Sequence, residues 1–565
     1  MQIIRRSVPD AASLLIASGV TPVLARVYAA RGIAAVAELD DDLALLPSWR
    51  SFKGIEAAAA RLADAIERGE RLLIVADYDA DGATACAVAM RGLAAMGGKV
   101  DYLVPNRFEF GYGLTPEIVA LAAARSPHLI ITVDNGIASV EGVAAAHALG
   151  IDVLITDHHL AGPQLPSPAL IVNPNQPGCD FPCKHLAGVG VMFYVLTAVR
   201  SLLRERKRFA DGTGPNLATL LDLVALGTVA DVVRLDQTNR ILVAQGLRRI
   251  RAARASAGIR ALFEVARRDP SQATTYDLGF VIGPRLNAAG RLADMSIGIA
   301  CLASDEDVVA LRFATELDRL NRERREVETK MQDEALASID DAPARDGYTL
   351  CLYRPEWHQG VVGIIASRLK DRFHRPALVF ARAGNGELRG SGRAIPGFHL
   401  RDAIDLVAKR APGAILRFGG HAHAAGLSVT EDALPRVAAE FERVAREWLP
   451  PEALSQALET DGELRPEELT LALAEEMRAQ VWGQGFPAPL FDGQFAVIEQ
   501  RAVGGEHVRA VLAQAGRRVE AIAFHAEVAL PGMLHAVYRP DRNTYQGLSS
   551  LQLVLEHWQP AEISK

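Results

Sequence analysis

Between residues 71 and 157 the chain repeats one pattern: a short aliphatic run, an Ala-rich helix-forming segment, then another aliphatic run. The runs are 72–76, 100–104, 129–133 and 153–156, and the helix-forming segments 84–96, 116–124 and 139–149 lie between them, ending near Gly or Pro. Runs this short, separated by helices, build parallel βαβ units, so the spacing predicts a doubly wound parallel sheet. In such a sheet the carboxyl ends of the strands converge on one crevice. Asp77, Asp79 and Asp81 follow the first run, Asp134 the third, and Asp157-His158-His159 the fourth. Residues far apart in the chain are thereby expected to share a site.

Carboxylates packed together repel, and their pKa values rise unless cations neutralise them. A single Asp after a strand is ordinarily the cap of the next helix. Three clusters at successive strand ends, one with a His pair, point instead to divalent metal. Oxygen ligands with one or two imidazoles suit Mn²⁺ or Mg²⁺ better than a thiolate-seeking metal. Two such ions in one site hold a hydroxide and clamp a phosphoryl oxygen, the chemistry of phosphodiester or phosphoanhydride hydrolysis. Asp231, in Gly227-Thr-Val-Ala-Asp231, interrupts an apolar helical stretch and reads as a further inward ligand.

At 565 residues the chain exceeds what one core supports, and several domains are expected. The divisions read from the pattern are an N-terminal segment 1–50, a catalytic domain 51–305, a charged connecting helix 306–345, a second α/β domain 346–450 and a C-terminal domain 451–565. The connecting helix is expected to be mostly solvated, residues 452–485 to be helical and acidic, and the chain from 491 to form a small β-barrel or sandwich. The net charge of −7 means that a phosphate-bearing partner needs a local basic groove. Five cysteines without framework spacing fit a reducing compartment. Arg5 and Arg6 precede no sustained apolar segment, which argues against a signal peptide. The uncharged stretch 160–179 is broken by five prolines, so no membrane span is expected. Together these readings place the protein in the cytoplasm.

The motifs Asp77-Tyr-Asp-Ala-Asp-Gly82, Thr132-Val-Asp-Asn-Gly136, Thr156-Asp-His-His159 and Gly227-Thr-Val-Ala-Asp231 resemble, in order and spacing, those of the DHH phosphoesterase superfamily. Pro105-Asn-Arg-Phe108, Gly111-Tyr-Gly113, Gly283-Pro-Arg-Leu-Asn287, Trp357-His-Gln-Gly360, Ser391-Gly-Arg393 and Gly419-Gly-His-Ala-His-Ala-Ala-Gly426 look like those of its RecJ branch. Residues 536–547 are similar to the OB domain of that branch, so the likeness runs from about 71 to 557. The resemblance implies an α/β multidomain protein: a DHH-type sheet, a connecting helix, a DHH-associated domain and an OB-like barrel. It also implies metal-dependent 5′ to 3′ degradation of single-stranded DNA to mononucleotides in repair and recombination.

The resemblance makes Asp77, Asp79, Asp81, Asp134, His158 and Asp231 the metal ligands and gives His159 an orienting or polarising role, with His159, Asp134 and Asp81 as the catalytic set. Val75 departs from the pattern, standing where many superfamily members carry a His ligand, and leaves the first metal site to be completed by Asp77 or water. Arg107, Arg285, Ser391 and Arg393 are the expected clamps for a terminal 5′ phosphate, with His358 and His421 touching substrate and His423 structural. In the barrel Tyr538, Arg539, Arg542 and Tyr545 are candidates for stacking on bases or meeting phosphates, against the alternative of core tyrosines and solvated arginines. Partners implied are single-stranded DNA, a single-stranded DNA-binding protein and a RecQ-type helicase, acting on a monomer. Two rivals are weighed. A phosphodiesterase on short oligonucleotides or cyclic dinucleotides has no use for a third, OB-like domain. A non-catalytic replication scaffold with a DHH fold would have lost ligands that here are intact.

Overall fold

The computed structural model of the chain describes residues 2–105, 112–210, 212–340, 347–383, 386–526 and 528–561. Two compact units emerge: Arg5–Asp318 with Glu459–Lys565, and Arg319–Leu458 with Met1–Ile4.

The first unit contains the expected sheet. Five parallel strands run across it in the order Lys99–Leu103, Arg71–Ala76, Leu129–Val133, Asp152–Thr156 and Leu170–Val172. Strand Arg71–Ala76 thus has its sequence successor on one side and the next strand on the other, and this reversal is where such sheets open a crevice. Leu73, Val75, Ile130, Val153 and Ile155 pack one face against Ile118, Val119, Val143 and Ala146 of the covering helices. Alternation of this kind, with both faces buried, explains why these strands read as continuous aliphatic runs.

The C-terminal part of the same unit is a closed barrel of Phe491–Val503, His507–Gln514, Arg517–Ala523, Met533–Tyr545 and Leu548–Pro560. All its pairings are antiparallel except Arg517–Ala523 with Leu548–Pro560, the closing parallel pair of an OB-type barrel. The segment 452–485 does not form the long helix expected. It holds strand Ala457–Thr460, two single-turn 3₁₀ segments and only the nine-residue helix Leu471–Ala479. Pro451 and Pro466 stand at the first helical positions of short turns, and Gly462 takes φ +80°, each stopping propagation.

In the second unit a mixed sheet runs Ile415–Gly420, Ala424–Val429, Leu388–Arg393, Ala377–Arg382, Leu350–Tyr353, with only the last pair parallel. Helix Val362–Phe373 packs on one face, with Ile365, Ala366 and Leu369 in the core. Helix Asp307–Asp340 is the 34-residue connector, but it is less solvated than its charge suggests. Ala314, Leu317, Asn321, Arg324, Glu328, Met331 and Ala335 form a buried stripe at helical spacing. Its charged members pair with one another and with the neighbouring helix, Arg324 donating to Glu328 at 2.7 Å and to Asn321 at 3.1 Å and Arg368 donating to Glu328 at 3.1 Å. All five cysteines are free thiols, and no helix among the described residues is long and apolar enough to cross a membrane.

Arg5 fastens the N-terminal segment to the barrel. Its guanidinium donates to the buried Asp492 at 2.6 Å, and the same carboxylate accepts from Thr460 Oγ1 at 2.5 Å and faces His535 Nε2 at 2.9 Å. Burial alone would raise the Asp492 pKa, but these partners hold it below the usual carboxylate range. A depressed folded-state pKa stabilises the fold above the unfolded value near ~3.9, and the contribution disappears as pH falls through the folded value. Asp492→Asn is therefore expected to lower stability by about 2 kcal/mol at pH 7, with the gap from the parent closing as pH falls through the folded value. Urea midpoints measured from pH 7 downward check this; a gap independent of pH would contradict it.

Candidate metal centre and active site

The backbone explains why three aspartates reach the same level. Asp77 N–H donates to Val133 O, Asp134 N–H to Thr156 O and Asp157 N–H to Val172 O, so each residue extends its strand one step past the regular ladder. Asn135 bridges the reversal point, its Nδ2 donating to Val75 O at 3.1 Å and Val133 O at 2.9 Å. Asp134 itself sits at φ +62°, a left-handed conformation that Asp tolerates better than most residues. Gly188 allows this approach, because a Cβ there would lie 2.7 Å from Asp134 Cβ.

The side chains then meet. His158 Nε2 lies 3.1 Å from Asp134 Oδ1, 3.5 Å from Asp231 Oδ2 and 3.9 Å from Asp81 Oδ2. Asp79 does what the bland reading expects and more. One of its oxygens caps helix Ala80–Ala95 by accepting from Asp81 N and Gly82 N. Its carboxylate also stands with Asp77 and Asp134 in a group whose oxygens are all within 4.8 Å of one another. Two further groups meet the same limit: Asp134 with His158 and His159, and Asp81 with His158 and Asp231. Asp231 arrives at the C-terminal cap of helix Leu221–Ala230. Val75 offers no ligand atom, and its side chain packs in the hydrophobic core on one face of the sheet.

Burial and then mutual repulsion set the electrostatics. Asp81 is pushed up to about 7 by burial and by Asp79, although Gly188 N–H and Val189 N–H, at the start of helix Gly188–Glu205, both donate to it and pull the other way. Asp134 and Asp231 rise well above the carboxylate range through burial and their neighbouring aspartates. His159 behaves differently. Burial disfavours its cation, but the hydrogen bond and charge of Asp157 at 2.7 Å prevail and push it up to about 9. Asp157 is correspondingly lowered. Hard oxygen donors, several of them buried and raised in pKa, with one or two imidazoles, form a donor set that fits Mn²⁺ or Mg²⁺.

Asp157 is a functional residue that motif reading assigned no role. Its oxygens accept from Ile137 N, His158 N and His159 N as well as facing the His159 ring, so it orients the imidazole without entering a metal-holding group. Tyr112 was likewise missed as an individual residue; its hydroxyl lies 3.1 Å from His159 Nδ1 and 3.3 Å from Asp134 O. Asn287 accepts from Ala80 N–H and so steadies the loop carrying Asp77 and Asp79. The motifs contained all three residues, but nothing in their type distinguished an orienting Asp from a ligand.

The phosphate candidates divide. Arg107 lies outside the described residues. Arg285, expected as a clamp, is buried, pairs with Asp318 at 2.9 Å and donates to Val281 O at 2.6 Å. In the second unit Ser391 and Arg393 share one face of strand Leu388–Arg393, and Arg393 Nη1 donates to Ser391 Oγ and Gly392 O, both neutral. Burial lowers the Arg393 pKa. Gly363, at the start of helix Val362–Phe373, lets this pair sit against the helix N-terminus: a Cβ there would lie 3.0 Å from Ser391 Oγ and 3.2 Å from Arg393 Nη2. An arginine fork beside N-terminal amides is a ready anion cradle. His358 Nδ1 accepts from Gly360 N–H, while His421 is exposed beyond strand Ile415–Gly420.

In the barrel Tyr538 is fully buried, edge-on to Phe495 at 5.3 Å, so it is a core residue and no base platform. Arg542 donates to Gln272 at 2.7 Å and joins the barrel to the catalytic domain within one unit. Arg539 pairs with Glu556, leaving Tyr545 as the exposed ring of the set.

Asp134→Asn removes one charge from the crowded cluster without changing its shape. In chelator it is expected to raise stability by about 2 kcal/mol, the scale of one like-charge contact at intermediate dielectric. A lower urea midpoint than that of the parent would contradict this.

Comparison with known proteins agrees with this architecture. Residues 71–228 match the DHH family N-terminal domain, 346–447 the DHHA1 domain and 460–557 the RecJ OB domain. The single-stranded-DNA-specific exonuclease RecJ of Escherichia coli is 47% identical over 99% of both chains. That of Dickeya dadantii is 50% identical over 95% of this chain and 96% of its own. The crystal structure of RecJ in complex with Mn²⁺ from Thermus thermophilus matches with TM-score 0.84 and 30% identity, covering 100% of this chain and 80% of that one. Its Mg²⁺ complex matches with TM-score 0.78. With half of its residues shared along almost the whole length, and with the same three domains in the same order, the chain belongs to the RecJ family.

Proposed function

We propose that the protein is a metal-dependent exonuclease that degrades single-stranded DNA from the 5′ end to mononucleotides, acting in repair and recombination. The observation that carries the reading is the meeting of Asp81, Asp134 and Asp231 around His158 Nε2 within 3.1–3.9 Å. Asp77, Asp79, Asp81, Asp134, His158 and Asp231 would hold two Mn²⁺ or Mg²⁺ ions, with His159 within reach of the same group. When bound, the ions supply charge neutralisation and the acidity that readies water for in-line attack on phosphorus.

The chain's own residues do the remaining work. Asp157 holds a proton at His159 Nδ1 and fixes the ring, and Asp81 is locked by the amides of Gly188 and Val189. Ser391 and Arg393 receive the terminal phosphate and set polarity, since a pocket built for a chain end rejects an internal phosphodiester. On this reading residues 51–305 carry catalysis, 346–450 hold the substrate end and 451–565 guide the strand. The protein works in the cytoplasm as a monomer, with a single-stranded DNA-binding protein and a RecQ-type helicase supplying the strand.

End-labelled oligonucleotides with Mn²⁺ test the reading. A 5′ label is expected to appear at once as mononucleotide, and a 3′ label to move through progressively shorter products. Attack only from the 3′ end would overturn it. Asp134→Ala, or chelation, should reduce hydrolysis by at least ~10³-fold, and full activity in either would end the proposal. Gly227→Ala is a subtler probe, because its Cβ would fall 2.2 Å from Thr84 Oγ1 and 2.9 Å from Asp81 Oδ1. Displacing that carboxylate by a fraction of an ångström to an ångström should reduce the rate about 10²-fold while strand binding, read by anisotropy, is retained.

A further inference from the structure

Helix Gln237–Arg251 carries Arg240, Ala244, Arg248 and Arg251 at helical spacing, so one face presents three guanidiniums around a single methyl group. An arginine stripe of this kind is ordinarily a solvated face. Here it is covered. Tyr28 and residues 38–41 of the N-terminal segment, with residues 479–481 and Phe486, close over it within one compact unit and leave a cavity of about 310 Å³ that Ala244 lines. That volume is at the lower end of small-molecule sites and has room for a ligand of mononucleotide size.

Carboxylates stand in the lining too, but each is engaged. Both oxygens of Asp41 accept from Arg248 at 2.6 Å, Glu38 accepts from the amides of Ala34 and Ala35, and Asp40 accepts from that of Asp42. Among the described residues the other two guanidiniums hydrogen-bond only to carbonyls. Arg240 donates to Leu235 O at 3.1 Å and Glu38 O at 2.9 Å, and Arg251 donates to Ala273 O at 2.8 Å. Burial lowers the pKa of both, and repulsion from Arg478 and Arg248 adds to it at Arg251. Arg240 is also held in place, its guanidinium 4.4 Å from the centroid of the Phe486 ring.

Tyr28 supplies an independent observation. It is 3% exposed and stacks on Trp482 and Phe486 with centroids 5.7 and 6.1 Å away. Its hydroxyl has no hydrogen-bond partner among the described residues, although buried hydroxyls are ordinarily paired. Tyr28 lines the cavity, within electrostatic reach of Arg240. Two partly buried cations without a carboxylate hydrogen bond, and one unpaired hydroxyl, make a donor set for a phosphate oxyanion. Leu39, Leu247 and Val481 give the rest of the wall apolar surface suited to an organic body.

We propose that this cavity is a second phosphate site, besides the Ser391 and Arg393 cradle, for a phosphate carried on a molecule no larger than a mononucleotide. Arg240 and the Tyr28 hydroxyl hold the phosphate, and Arg251 adds positive potential from further along the stripe. The reaction proposed above releases such monoesters, so a mononucleotide as the ligand rests on that reading, whereas the anion site itself does not. Bound there, the ligand ties residues 28–41 to helix Gln237–Arg251 and to the segment leading into the barrel, three stretches remote in sequence.

The test is titration calorimetry on the full chain with Mg²⁺, using 5′-dAMP, deoxyadenosine or inorganic phosphate. 5′-dAMP is expected to bind the parent and to keep binding when Arg393→Ala has disabled the cradle. Ala244→Leu fills the hollow with a good helix former, leaves every arginine in place, and should abolish the binding that remains. In the same background Arg240→Gln and Tyr28→Phe should each weaken it about 10-fold, the scale of one hydrogen bond to a charged group. Tyr28→Phe removes a single oxygen, so it keeps the test decisive if the leucine disturbs the helix. Slower amide exchange in residues 38–41 and 479–486 on adding 5′-dAMP should place the ligand. Deoxyadenosine should not bind. Inorganic phosphate binding as tightly as 5′-dAMP would support the site with free phosphate as its ligand, and weaker phosphate binding would support it with the monoester. Loss of all binding in Arg393→Ala, unchanged affinity in Ala244→Leu and Tyr28→Phe, or deoxyadenosine binding as well as 5′-dAMP would overturn the proposal. A chain that binds 5′-dAMP here but hydrolyses no DNA would defeat the exonuclease reading and leave the pocket standing.

Discussion

The repulsion among carboxylates at the open end of one parallel sheet is the constraint around which the catalytic domain is built. Two like charges 4 Å apart cost about 4 kcal/mol at an effective dielectric of 20, more than a charged hydrogen bond contributes at about 1.5–3 kcal/mol. The fold therefore cannot cancel the cluster with amides alone. Amides go to the residues that must stay rigid: Asp81 receives two helix N-terminal amides yet is still pushed up to about 7, and Asp157 receives three amides and an imidazole and is lowered. Asp134 and Asp231 remain well above the normal carboxylate range, and the deficit they carry is what a divalent cation fills. Protein amides fix geometry, and the cation supplies the remaining charge.

Close approach of backbone is the second requirement, and glycines meet it. Gly82 would place a Cβ 2.6 Å from Asp77 O, and Gly290 would place one 1.9 Å from Tyr78 O. Any side chain at these points would push the loop 77–81 away from the crevice. Asp134 at φ +62° and Val232 at φ +61° are the complementary cases, residues held in left-handed conformations beside the centre because their surroundings overdetermine them.

What could be read from the sequence follows from how local the signal was. Strand ends were legible because aliphatic runs stop abruptly at Asp, and the ladder places those stops at one level. Asp231 was legible because a lone carboxylate in an apolar helix must face something. The arginines were not. The partners of Arg285 and Arg542, Asp318 and Gln272, are far along the chain, and no nearby residue announces them. Tyr538 pairs in register with Phe491 and lies against Phe495, a packing arrangement set by which face of the strand turns inward. The segment 452–485 has helical composition, but Pro466 and the left-handed Gly462 outweigh propensity.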